Sequence, residues 1–284
     1  MSNVPITVFT AESTSLRPAR LAGEMLRGAW EGRRLAYRLF RKDLKAEFAD
    51  SLLGYTWNFA NPLILAAIFI LMQKDGILRT DTIAMPYPVY VVCGMLLFQT
   101  FIQSINLPLS LLVRSGNLIN NVRVPAESLV GSVLLRLGFD ALFYIPIILA
   151  TCWLFDVLTW QGALWLGVLY PSMILLGSAF GLFLAPLNVI YSDCSKLVQN
   201  LTRPLMFICP TFYRPSDGMP WLEAILTYNP IGVVMDNIRL LTVQGEWMNL
   251  PAFVCVLGAA ALLFLTGWLL LHVSVTLLAQ KVSA

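Results

Sequence analysis

Four stretches of this chain run without a charged side chain for longer than a bilayer crossing requires: residues 52–73, 82–113, 157–192 and 247–280. A hydrocarbon core about 30 Å thick is crossed by about 20 largely apolar residues in helix. Only 12% of the 284 residues are charged and the mean hydropathy is +0.73, whereas soluble domains carry about 25% charged residues. A soluble enzyme, a secreted scaffold and a disordered chain are thereby excluded. The expected fold is all-α, a polytopic membrane protein.

The third run needs dividing, because Pro186 and Asn188 precede Asp193, so its span is placed at 162–186. Two less clean segments add spans: 128–154, despite Arg136 and Asp140, and 196–214, despite Arg203. Six spans result, at about 53–73, 87–113, 128–154, 162–186, 196–214 and 250–277. Residues 1–30 mix Glu12, Arg17, Arg20, Glu24 and Arg27 and show no uninterrupted apolar signal segment. With both termini cytosolic, fourteen lysines and arginines fall inside and four outside (Lys74, Arg79, Arg214, Arg239), which satisfies the positive-inside rule. The organisation expected is an N-terminal segment at 1–29, an amphipathic helix at 30–52 and a transmembrane domain at 53–284.

That helix places Ala36, Leu39, Phe40, Leu44 and Phe48 on one side and Arg34, Arg38, Arg41, Lys42 and Lys45 on the other. Asp43 and Glu47 fall on the apolar side and spoil the pattern. A basic face opposite an aromatic and leucine face suits a helix in the headgroup layer; positive charge that only sets topology is the plainer reading. Residues 114–127 break two apolar runs with Gly116, three asparagines, two arginines and Pro125, which reads as a short cytosolic connection or as a docking element for a soluble partner. Arg136 and Asp140 are four apart, share a helix face and can neutralise each other. A structural pair facing other helices is expected, with a substrate or proton site as the sharper alternative.

Between the fifth and sixth spans, Pro215, Pro220 and Pro230 cut 215–246 into two apolar pieces too short to cross, and Asn229–Pro230 turns the chain between them. Two half-helices dipping in from outside fit this pattern, with Val233, Val234, Leu240 and Leu241 needing burial. Such backbone is tolerated only inside protein or beside a water-filled cavity. Cys93, Cys152, Cys194, Cys209 and Cys255 are scattered, and His272 is the single histidine, so no metal site is expected. No phosphate loop, G-x-S-x-G or H-E-x-x-H occurs. An active transporter built on this chain would need its energy from a partner or from an ion gradient.

The residues also resemble a known family. Asp43-Leu44-Lys45, Ser51-x-Leu53-Gly54-x-x-Trp57 and Pro62 are followed in order by Gly94, Phe98 and Arg123-Val124-Pro125. Then come Tyr191-Ser192-Asp193, Cys209-Pro210-Thr211-Phe212-Tyr213, Asn229-Pro230 and Arg239. Over about residues 33–280 the chain resembles the membrane permease subunit of bacterial type-2 ABC exporters of polysaccharides, which move O-antigen, capsule and teichoic acid. Val124 and Ser192 stand where members often carry an aromatic residue and an arginine.

The resemblance implies a homodimer in the bacterial inner membrane, joined to two copies of a cytosolic ATP-binding subunit that holds ATP and Mg. It implies a lipid-linked polysaccharide as cargo, with no cofactor on this chain and no nucleic acid. Arg114, Asn117, Asn120, Arg123, Pro125, Tyr191 and Asp193 become candidates for coupling to the ATPase. Arg34, Arg38, Phe40, Arg41 and Lys42 become candidates for an interfacial gate helix, and Trp221, Asn229, Pro230 and Leu240 for a periplasmic gate. Tyr55, Trp57, Phe59, Phe207, Phe212 and Tyr213 fall on the spans that line the family's conduit, where rings would suit sliding sugar faces; a lipid-interface belt is the other reading. The alternative function is a gradient-driven transporter or flippase without an ATPase, although no inverted repeat is visible.

Overall fold

The computed structural model describes residues 18–48, 54–77, 83–121, 124–213, 225–226 and 228–282. Among them the regular structure is entirely helical: α1 (Pro18–Phe48), a 3-10 turn at Gly54–Thr56, α2 (Trp57–Lys74), α3 (Tyr87–Leu109), α4 (Leu111–Asn121) and α5 (Ala126–Leu154). Then follow α6 (Trp160–Ile190), α7 (Asp193–Ile208), α8 (Pro230–Val243) and α9 (Leu250–Val282).

Sequence punctuation sets the ends. Pro86 and Pro125 precede α3 and α5, where a missing amide proton costs nothing. Thr159 Oγ1 accepts from Gly162 N at 3.0 Å to cap α6, and Asn229 Oδ1 accepts from Ile231 N at 3.0 Å to cap α8. Pro108 in the last turn of α3 removes one helical donor, and the chain breaks at Ser110 before restarting as α4. The stretch read as the end of a second span and a loop is thus two helices.

Five helices are long and apolar enough to cross a membrane: Gly54–Lys74, Tyr87–Leu109, Ala126–Leu154, Trp160–Ile190 and Leu250–Val275. The fifth expected span, 196–214, differs. It is α7, a helix of 16 residues carrying Lys196, Gln199, Asn200 and Arg203, followed by a non-helical segment at 209–213. Helix ends at Cys209 because Pro210 forces the preceding residue into extended backbone, here φ −99° and ψ 150°. The amphipathic helix likewise begins at Pro18 rather than at 30.

The core is organised around α3, which is buried along most of its length and packs on α2, α5 and α6. Lipid supplies no hydrophobic drive between helices, so close packing depends on small residues. Gly177, Gly181 and Ala185 form such a row on α6. A methyl group at Gly177 would lie 2.5 Å from Ser104 Cβ and 2.7 Å from the Phe101 carbonyl, and one at Gly181 would meet the Ile105 carbonyl. We expect Gly177→Ala to destabilise the folded protein by about 1–3 kcal/mol through overpacking. Gly167→Ala, on the same helix with open space around it, should raise stability by up to about 1 kcal/mol. Thermal melts of the two variants in one detergent check the difference.

Candidate functional site

The non-helical segment at 209–213 exposes backbone polar groups among apolar side chains, so each carbonyl needs a donor. The Pro210 carbonyl accepts from Tyr90 Oη at 3.1 Å and from Arg239 Nη2 at 3.0 Å. The Phe212 carbonyl accepts from Tyr87 Oη at 2.9 Å, and the Tyr213 carbonyl from Tyr90 Oη at 3.3 Å. Asn229 Nδ2 donates to the Ile208 carbonyl at 3.2 Å. Gly94 leaves room for this arrangement, since a methyl there would strike the Thr211 carbonyl and approach Arg239. Two tyrosines one turn apart on α3, with Asn229 and Arg239 flanking and within α8, thus carry the segment.

Arg239 was counted above among external charges; the structure corrects this. It is wholly buried, with Nη1 2.9 Å from Asp236 Oδ1 and its guanidinium 3.7 Å over the Tyr90 ring. A charge three residues from an opposite charge on an otherwise apolar helix was the signal available in the sequence. Helix α8 is buried on nearly every side, Val234, Ile238 and Leu241 included, which is not the setting of a surface loop. Val233 and Leu240 are half-buried. Trp221, with most of the first apolar piece, lies outside the described residues.

Arg136 and Asp140 lie 3.0 Å apart, Nε to Oδ1, inside the protein. Two further groups join them. Tyr55 Oη donates to Asp140 Oδ1 at 2.8 Å, and Arg136 Nη1 meets Glu47 Oε2 at 2.6 Å. The Tyr55 ring packs on Phe139 and Phe143, at 5.4 and 4.4 Å between centroids, and Phe40 of α1 reaches Phe139 at 5.7 Å. Glu47, which spoiled the apolar face in the sequence, is the residue through which α1 reaches a buried charge.

Helix α1 lies on α5. Gly28, Gly32 and Ala36, each four apart, face Glu127, Ser128 and Gly131, and a methyl at Gly32 would strike Ser128 Oγ. This small-residue row was visible in the sequence and is a close-packing signature. Arg34, Arg38, Arg41, Lys42 and Lys45 remain exposed, while Ala36 is buried and Leu39, Phe40 and Leu44 are half-buried. At the same junction His272 of α9 meets Glu127 at 2.6 Å. On the exposed side Glu31, 2.8 Å from Arg27, raises that arginine's pKa and keeps it charged.

The two corners expected to face the ATPase are joined by one side chain. Asn188 Nδ2 donates to the Leu109 carbonyl at 3.1 Å, beside the α3–α4 break, and its Oδ1 accepts from Ser195 N at 3.1 Å, in the first turn of α7. Arg114, Pro125, Tyr191 and Asp193 are exposed around these corners. Asn117 and Asn120 sit on α4 with side chains outside the described set, and Arg123 lies outside the described residues. Of the aromatics assigned to the conduit, Trp57 and Phe207 are exposed, and Phe59 and Tyr213 are half-buried. Phe212 is buried and stacked on Phe69 of α2 at 4.1 Å. Among the described residues no three His, Cys, Asp or Glu side chains gather to hold a metal ion.

Breaking the buried pair should show its weight. Arg239→Gln leaves Asp236 without its guanidinium, and we expect a loss of about 3–5 kcal/mol in stability. Adding Asp236→Asn to the same variant should recover part of that loss in thermal melts.

Comparison with known proteins places this geometry. The family model of the ABC-2 type transporter matches residues 34–242. The O-antigen export system permease protein RfbA of Klebsiella pneumoniae is 26% identical over 207 residues, covering 72% of this chain and 78% of its own length. RfbA of Myxococcus xanthus is 27% identical over 223 residues, covering 76% and 83%. The polysialic acid transport protein KpsM of Escherichia coli is 23% identical over 212 residues, covering 73% and 80%. The family match runs from the cationic face of α1 to the end of α8, and so contains the Arg136 cluster, the Asn188 junction and the 209–213 segment. With that match over most of its length, the chain belongs to the ABC-2 type transporter membrane family.

Proposed function

We propose that the chain is the permease subunit of an ATP-driven exporter that carries a lipid-linked polysaccharide out of the cytosol. It works in the inner membrane as a homodimer, with both termini cytosolic and a separate ATP-binding subunit on each copy. The observation that carries this reading is the family match across residues 34–242, with relatives named for export of O-antigen and transport of polysialic acid. No phosphate loop occurs in the sequence, which supports an energy source on a partner.

The geometry suggests how force would travel. A partner pushing on α4 and on the corner at Tyr191–Asp193 acts on two elements that Asn188 ties together. Motion at that corner would then be delivered to α3 and α6, which are closely packed. The exposed cations of α1 suit the phosphate of a lipid carrier at the cytosolic interface. Exposed Trp57 and Phe207 offer ring faces to sugar C–H groups. Buried α8, dipping in from the periplasmic side, would bound the conduit there with Asn229, Pro230 and Leu240.

Vesicles containing the chain and its ATP-binding partner test the function. ATP should drive export of the lipid-linked glycan, and an ion gradient alone should not; transport by the gradient without the partner would establish the secondary-transporter reading instead. The junction has its own test. Asn188→Ala should leave ATP hydrolysis in place and lower export per ATP by about tenfold, the worth of about 1.4 kcal/mol of lost buried hydrogen bonding. Assaying both rates on the same vesicles separates the two effects.

A further inference from the structure

Glu47 ties α1 to a buried charge of α5. It stands at the C-terminal end of the helix, next to the segment leading to α2, and pairs at 2.6 Å with a guanidinium only 8% exposed. Yet its own side chain is 46% exposed, so releasing it returns a carboxylate to water at little cost. Arg136 is not stranded by that release. Asp140, 3.0 Å away on the same helix, remains as its counter-charge, and Tyr55 holds Asp140 in place at 2.8 Å. A buried arginine with only one acidic partner would be expensive to expose; one with a resident partner and a visiting partner is not.

We infer that Glu47 is a releasable latch, a positioning residue that sets α1 against α5 in the resting state and lets its C-terminal half lift away during transport. The remaining contacts allow this. Leu39, Phe40 and Leu44 are only half-buried, and Phe40 forms one wall of an open apolar groove whose other wall is Gly131, Leu134, Gly138 and Leu142 of α5. The firm small-residue contact, at Gly28, Gly32 and Ala36, lies ahead of these residues and serves as the pivot. The latch rests on the proposed exporter function for its purpose, but its motion is measurable apart from export.

The test uses the full complex in lipid vesicles, with Cys194 and Cys255 replaced by serine and the three buried cysteines retained. Leu44→Cys, one turn before Glu47 on the same face, reports release through its rate of maleimide labelling, and exposed Lys45→Cys serves as control. Labelling of Leu44→Cys should be slow at rest and at least about tenfold faster, the equivalent of about 1.4 kcal/mol, both during ATP turnover and in Glu47→Gln at rest. Glu47→Asp, which keeps the charge, should restore slow labelling at rest, and Lys45→Cys should label alike throughout. Slow labelling in Glu47→Gln, or no acceleration during turnover, overturns the latch. Fast labelling in Glu47→Gln with export unchanged upholds the latch and removes α1 from the gate.

Discussion

The carbonyl groups at 209–213 set the terms for much of this structure. Backbone that leaves the helix among apolar side chains loses its own hydrogen bonds, and each unsatisfied group there costs several kcal/mol. The donors are Tyr87, Tyr90 and Arg239, with Asn229 donating to the Ile208 carbonyl just ahead of the segment. Supplying them fixes the depth of α8 against α3, demands a glycine at 94, and requires Asp236 to neutralise the arginine. Asn237 extends the arrangement by accepting from Met248 N and Asn249 N at the start of α9. One helix break thus determines how three other helices are placed.

The two buried arginines are handled by the same chemistry. Each has a carboxylate three or four residues away on its own helix and a tyrosine ring within reach, at 3.7 Å for Arg239 and 5.7 Å for Arg136. The difference is the third partner. Arg239 gives Nη2 to a backbone carbonyl that stays in the fold, whereas Arg136 gives Nη1 to a half-exposed carboxylate at a helix end. The first is a fixed support and the second a contact that can be exchanged. A transporter needs both, since a packed bundle moves between discrete arrangements rather than deforming continuously.

Span positions were legible in the sequence because bilayer thickness imposes a length that charge-free runs must meet, and all five helices long and apolar enough to cross begin within two residues of an expected start. The Arg136–Asp140 pairing was legible for the same local reason, a four-residue spacing on one helix. What needed the third dimension was anything decided by a partner distant in sequence. Arg239 looked like a loop charge because Tyr90 and Pro210, which make its burial tolerable, are remote in the chain. Glu47 looked like a flaw in an amphipathic face because Arg136 is 89 positions away. The shortness of α7 was hidden by apolar residues that continue past Ile208, although Pro210 marked the stop. Asn188 read only as the end of a span, with nothing local to show the carbonyl it bonds.

Native Cys209 allows the central claim to be measured directly. It sits at the first residue of the irregular segment, fully buried and beside Asn229. In a chain whose other four cysteines are serine, assembled with its ATP-binding partner in vesicles, Cys209 should resist small charged thiol reagents from either side at rest. Removing one of the supporting donors, as in Tyr90→Phe, should make it react. Rapid labelling of Cys209 in the intact resting complex would show the segment open to water, and its carbonyls would then need no protein donors to hold them.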